Sequence, residues 1–201
     1  MNRAELKWRA RVQLGSKIFG SSWLFAVLAV VILGVVNYVI GLIPYLGRVV
    51  SLLVTGPLAY GMASMFLKQA RDRKPMQMGD LFNGFQQDFS GIFLLGLLMN
   101  LFVFLWSLLF LIPGVIAQLS YSMAYYIKAD HPEYDWKQCL AESKRMMTGY
   151  KGDLFVMQLS FIGWYFVGAL CLGVGVFWVA AYQNAATAQF YQQLKAQSVQ
   201  Y

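Results

Sequence analysis

The sequence predicts an all-α fold: a polytopic membrane helix bundle of six transmembrane helices, arranged as three pseudo-repeated hairpins with cytoplasmic amphipathic helices. Three observations predict it. Residues 18–47, 49–67, 89–127 and 154–194 carry no charged side chain. A helical crossing of a bilayer needs about 20 apolar residues, so these stretches hold one, one, two and two crossings. Hydrophobic residues make up 59% of the 201 positions and charged residues only 12%, about half the share of roughly 25% in soluble domains. If each stretch crosses as counted, every one of the 16 lysines and arginines except Arg48 falls on the cytoplasmic side, as the positive-inside rule requires.

The chain reads as one integral membrane domain over residues 1–201, because no Pro/Ser-rich linker or charge block divides it. Asn2 with Glu5 three residues later resembles a capping arrangement, which predicts a short basic helix from residue 3 to about 15. The first crossing follows over 18–42. Its basic flank runs to Lys17 and its apolar run is too long for a signal peptide, so a cleaved export signal is not expected. An outer connection around Gly41 to Arg48 leads to the second crossing, 49–67, and Lys68, Arg71, Arg73 and Lys74 mark the return to the cytoplasm. There Met78, Leu81, Phe82, Phe85 and Phe89 have the spacing of one helical face, with Asp80, Asn83, Gln86, Gln87 and Asp88 opposite, which predicts an amphipathic helix in the headgroup zone.

Crossings over 90–111 and 113–127 meet at the outer turn Ile112-Pro113-Gly114. Residues 136–150 repeat the amphipathic pattern, with Trp136, Cys139, Leu140, Met147 and Tyr150 against Lys137, Glu142, Lys144 and Arg145. Asp135 and Gln138 start this helix as a capping pair. Crossings over 154–172 and 174–194 turn at Gly173-Val174-Gly175, so both termini are expected in the cytoplasm. Trp23, Trp164 and Trp178 are expected as interface anchors, with Trp106 deeper. The amphipathic helices either cover the cytoplasmic ends of the crossings or contact lipid. Cys139 and Cys171 fall in different environments, which argues against a disulfide.

An offset of 61 places Ala59-Tyr60-Gly61-Met62-Ala63 over Ser120-Tyr121-Ser122-Met123-Ala124 and over Ala181-Tyr182-Gln183-Asn184-Ala185. Each match falls in the second helix of a hairpin. Small residues four apart let helices approach closely in lipid, which is the plain packing account of the motif. The sharper account is a cavity lined by Tyr60, Gln118, Tyr121, Tyr182, Gln183 and Asn184. A buried phenol needs a partner, and Thr55, Ser64, Gln118, Ser122, Gln183, Asn184 and Gln189 on the same helices could supply one. The second helices are more polar than the first, so they are expected to face inward while the first helices meet lipid.

Catalytic and metal chemistry is scarce. No Asp, Glu, Lys or His falls inside a predicted crossing, which counts against an ion-coupled transporter. The single histidine, His131, sits in a cytoplasmic loop among Asp130, Glu133 and Asp135, and one imidazole with flexible carboxylates makes no fixed ligand set. There is no P-loop, paired-histidine zinc motif or nucleophile elbow, so the expectation is a non-enzyme with no cofactor and no metal. The net charge of +7 is confined to the cytoplasmic flanks and interleaved with acidic residues. That distribution suits anionic lipid headgroups and gives no nucleic-acid surface.

Several separated stretches resemble one family in order along the chain. They are Gly79-Asp80-Leu81-Phe82-Asn83-Gly84-Phe85, Ile112-Pro113-Gly114 with Tyr121-Ser122-Met123-Ala124-Tyr125-Tyr126-Ile127, Lys128-Ala129-Asp130-His131-Pro132, Glu142-Ser143-Lys144-Arg145-Met146-Met147, and Leu159 to Trp164 with the tail Tyr182 to Leu194. Together they resemble the domain of unknown function 975 family of bacterial multi-pass integral membrane proteins, over nearly the whole chain. Ala181 stands where the family tends to have proline, and Gly149-Tyr150-Lys151 is less lysine-rich than the family pattern. The family is also similar in plan to the membrane portion attached to some glycerophosphodiester phosphodiesterases, for whose catalytic domain this chain has no room. The resemblance implies an inner-membrane protein and carries over no functional residue. The leading expectation is therefore a non-enzymatic protein that binds membrane lipids or a membrane-protein partner, with self-association through the small-residue stripes as a further option. The alternatives are a transporter or facilitator component using the cavity above, and an immunity or envelope-stress protein.

Overall fold

The computed structural model describes residues 3–15, 20–43, 46–72, 76–170 and 173–198. Asn2, Lys17, Pro44, Arg73, Lys74 and Cys171, which figure in the expectations above, lie outside them. The described residues form helices and no strand: α1 (Arg3–Leu14), α2 (Ser21–Gly41), α3 (Leu46–Asp72), a 3-10 turn (Met78–Phe82) running into α4 (Asn83–Gln86), α5 (Phe89–Leu109), α6 (Leu111–Tyr121), α7 (Ala124–Asp130), α8 (Trp136–Met146), α9 (Lys151–Leu170) and α10 (Gly175–Ser198). Three of these are long and apolar enough to cross a membrane: Ser21–Gly41, Phe89–Leu108 and Lys151–Leu170.

Those three helices form the outside. Leu24, Leu28, Val35 and Val39 of α2 are exposed, as are Leu101, Phe104 and Leu105 of α5 and Leu159, Ile162 and Phe166 of α9. Each packs on the helix that follows it, and α3 sits in the middle against α2, α5, α7 and α10. The central helices bury Leu58, Met62 and Phe66 of α3 and Ala181, Ala185, Ala188 and Phe190 of α10. Small residues allow this. A Cβ on Gly96 of α5 would lie 2.9 Å from the Gly56 Cα of α3, and one on Gly168 would lie 2.8 Å from the Gly175 carbonyl carbon across the α9–α10 turn. Where apolar burial gains little over lipid, such backbone proximity supplies the packing.

Short elements cover one end of the bundle. The basic N-terminal helix forms as expected and buries Leu6, Ala10 and Leu14, one residue per turn of a single face, against α10. The expected capping pair starts α8: the Asp135 carboxylate accepts from the Gln138 N–H (3.1 Å) and the Gln138 side chain accepts from the Asp135 N–H (2.9 Å). Cys139 and Leu140 of α8 and Met147 just after it are buried, while Lys137, Lys144 and Arg145 stay exposed. Burial pushes the free Cys139 thiol up to about 11.

Three local expectations change. Residues 78–89 do not make one amphipathic helix: the 3-10 turn and α4 end at Gln86, and α5 starts afresh at Phe89 under an Asp88 cap that accepts from the Gly91 N–H (3.0 Å). The cause is close contact with α3, because a Cβ on Gly61 would lie 1.8 Å from the Leu81 carbonyl oxygen and one on Gly84 would lie 2.2 Å from that of Pro57. Leu81 is thereby buried, while Phe82, Phe85 and Phe89 face out. The stretch 113–127 is also broken, at Ser122 and Met123 between α6 and α7. Ser143 of α8 repairs the break: its hydroxyl donates to the Ser120 carbonyl (2.8 Å) and accepts from the Met123 N–H (3.2 Å), which satisfies backbone groups the helix leaves open. Finally, Trp23, expected as an interface anchor, is buried with its indole N–H donating to the Gly15 carbonyl (3.0 Å).

Candidate functional site

Two of the three motif tyrosines, Tyr60 and Tyr182, find hydroxyl partners on the covering elements and not on their own helices. Tyr60 is buried and its hydroxyl donates to the Gln87 carboxamide oxygen (3.0 Å). Tyr182 donates to the Lys7 carbonyl of α1 (2.9 Å) and lies edge-on to Phe161 at 5.3 Å and beside Trp23 at 6.1 Å. Tyr121 is half-buried, with Phe102 at 6.2 Å. Gln183 accepts from the Tyr165 hydroxyl (2.6 Å), and Asn184 donates to the Ala180 carbonyl one turn back (2.9 Å). Gln118 stands on the exposed side of α6. The structure therefore joins Tyr60 to the 78–88 segment and Tyr182 to α1, and Gln118 belongs to neither group.

Of the partners expected on the same helices, Ser64 donates to the Gly61 carbonyl of its own helix (2.9 Å). Gln189 instead reaches Gln13 of α1 (2.8 Å), which in turn donates to the Phe66 carbonyl (3.1 Å) and to Gln69 (3.1 Å) of α3. A single glutamine of the covering helix thus bridges two central helices.

The charged end holds a second constellation. The Asp130 side chain, fully buried at the end of α7, accepts from Arg71 of α3 (2.9 Å), the Tyr191 hydroxyl (2.9 Å) and Lys195 (2.6 Å) of α10. Lys128, only 3% exposed, donates to Asp88 (2.8 Å) and to the Pro132 (2.9 Å) and Tyr134 (2.8 Å) carbonyls. Lys68 pairs with Asp80 at 2.5 Å, and Asn83 donates to the same carboxylate oxygen (3.0 Å). Sequence reasoning used these residues only as flanking charge. The available signal was the position of Lys128 and Asp130 directly after an uncharged run, where a charge must be either solvated or paired.

Lys68, Arg71, Tyr60, Ser64, Asn83 and Gln87, with Leu67, Ala129 and Pro132, line a pocket of about 90 Å³. Two cations and four uncharged polar side chains face it, and no carboxylate lines it among the described residues. Away from it, His131 contacts Glu133 through Nδ1 (3.0 Å) and stacks on Tyr134 at 4.6 Å. Among the described residues there is no group of three or more His, Cys, Asp and Glu placed to hold a metal.

The Lys128 ammonium, and after it the Gly91 N–H, hold the Asp88 carboxyl below its ordinary value of 3.8. A carboxylate with a depressed folded value stabilises the fold above its unfolded value, and that contribution is lost as pH falls through the folded value. The start of α5 is therefore expected to loosen below about pH 4. Thermal stability of the wild type compared with Asp88→Asn measures this: the wild type loses its margin over the variant on acidification, and parallel curves would refute the assignment.

A family model described as "Protein of unknown function (DUF975)" matches residues 1–120 and 108–198. No curated protein and no solved structure matches the chain.

Proposed function

The chain belongs to the DUF975 family, and from that premise we propose that it is a non-enzymatic, six-crossing protein of the bacterial cytoplasmic membrane that binds membrane lipid at its surface. In this reading α3, α6 with α7, and α10 cross beside the three apolar helices, as three hairpins of similar plan. The break between α6 and α7 is acceptable at membrane depth because protein groups satisfy it. The basic clusters support a cytoplasmic position for both termini and the covering elements.

One observation carries the lipid reading. The exposed apolar faces of α2, α5 and α9 surround central helices whose polar side chains are bonded to protein neighbours, such as Tyr60, Tyr182 and Gln183. Contiguous apolar surface of this extent marks a membrane or partner contact. A facilitator would need those central groups for a solute. Here the hydrogen bonds of Tyr60 and Tyr182 fasten covering elements to the bundle and that of Gln183 ties α10 to α9, and the surface is left to meet ligands.

Extraction of the protein with its native lipids, followed by lipid analysis of the particles, tests the proposal. The expected result is enrichment of particular lipids over the bulk membrane. Particles with bulk composition, from a protein that instead conducts solute in liposomes, would overturn it.

A further inference from the structure

We propose that the pocket between α3 and residues 83–87 binds the phosphate group of an anionic phospholipid; this rests on the lipid-binding reading above and names its site. The donors are present and held in place. An ammonium carries three N–H donors and a guanidinium five. Lys68 keeps donors after pairing with Asp80, and Arg71 after engaging Asp72 and Asp130. The hydroxyl of Tyr60 donates to the Gln87 carboxamide oxygen, which directs the amide nitrogen of Gln87 away from Tyr60. Asn83 is fixed through Asp80. Charge-assisted hydrogen bonds from such fixed donors are the usual means of holding phosphate oxygens.

Size and surroundings select the ligand. A pocket of about 90 Å³ has the volume of about three waters, enough for a phosphate-sized group. The residues between and beside the pocket's Asn83 and Gln87 are apolar and exposed: Phe82, Phe85 and Phe89. Phe85 stacks on Phe89 and Phe89 on Phe93, each at 6.1 Å between ring centres, and this phenyl ladder runs into the exposed apolar face of α5. A donor-lined pocket beside an apolar ladder fits an amphiphile, with its phosphate in the pocket and an acyl chain along the rings. A soluble phosphate would leave the ladder without a role.

Native mass spectrometry of the full chain, released from nanodiscs of equal phosphatidylglycerol and phosphatidylcholine, tests the assignment. The wild type is expected to retain phosphatidylglycerol preferentially. Lys68→Gln and Asn83→Ala, chosen because both side chains reach solvent, should each weaken that retention about tenfold, the loss of one charge-assisted contact. Lys144→Gln, on the exposed side of α8 and outside the pocket, removes the same charge and should change nothing. Preferential retention by the wild type that both pocket variants preserve, or that Lys144→Gln weakens equally, would overturn the pocket and leave the lipid reading standing. A wild type that retains neither lipid would overturn the lipid reading itself. Lys68-dependent thermal stabilisation by inorganic phosphate, with no retained phosphatidylglycerol, would assign the pocket to a soluble anion and overturn the lipid part.

Discussion

Replacing Asp130 with alanine is expected to destabilise the folded protein by about 1.5–3 kcal/mol, the range for hydrogen bonds to a charged group, because its partners Arg71 and Lys195 stay partly exposed. Its carboxylate is fully buried, and it is where α3, α7 and α10 meet: Arg71 comes from α3, Asp130 from α7, and Tyr191 and Lys195 from α10. Deleting it takes one carboxylate from Lys195 and one from Arg71, which keeps Asp72, and removes the acceptor of the Tyr191 hydroxyl. The attraction that joins the three helices at this point is then lost. Asp130→Asn keeps an acceptor for Tyr191 and loses only the charge, so an intermediate loss is expected. Glu142→Ala is the comparison: its pair with Arg145 lies along the surface of one helix, and exposed pairs of that kind contribute roughly 0–1 kcal/mol. Thermal unfolding in detergent ranks the three variants. An Asp130→Ala protein that melts with the wild type would show that the cluster does not tie the helices together.

The second large effect is expected at a position with no side chain. Gly61→Ala puts a Cβ 1.8 Å from the Leu81 carbonyl oxygen and 2.6 Å from its carbon, and a backbone carbonyl cannot rotate away as a side chain can. The overlap should cost about 1–3 kcal/mol and be relieved by lifting residues 78–86 off α3. That movement would take Asp80 from Lys68 and Gln87 from Tyr60. Gly84→Ala meets the Pro57 carbonyl at 2.2 Å and should act alike, whereas Gly79→Ala meets nothing within 4 Å and should be neutral. Hydrogen exchange across residues 78–91 reads the displacement directly. Protection that is equal in Gly61→Ala and Gly79→Ala would mean that the close seat on α3 is wrong.

Both predictions concern features that linear patterns do not carry. The lysines and aspartates involved could be read as flanking charge, but which pairs with which spans 40 residues for Lys128 and Asp88, 59 for Arg71 and Asp130, and 65 for Lys195 and Asp130. Gly61 could be read as a close-approach residue, yet its neighbour is the 3-10 turn at Leu81 and not a second membrane helix. The tyrosines were legible as groups needing partners. Their partners lie outside the expected crossings: Gln87 in a segment that periodicity placed in the headgroup zone, and the Lys7 carbonyl in the basic N-terminal helix.

Composition and local pattern alone establish the helical class, the three apolar helices, the basic N-terminal helix and the Asp135–Gln138 start of α8. Each depends on a residue and its neighbours within a turn or two, or on the length of an uncharged run. Tertiary structure decided the breaks at Gln87 and Ser122, the burial of Trp23, the exposure of Gln118, the Asp130 cluster and the polar pocket. In those cases the favourable alternative to a regular helix or a solvated charge is a partner distant in the chain. Whether it arrives at hydrogen-bonding distance depends on how the helices pack, and no local spacing encodes that.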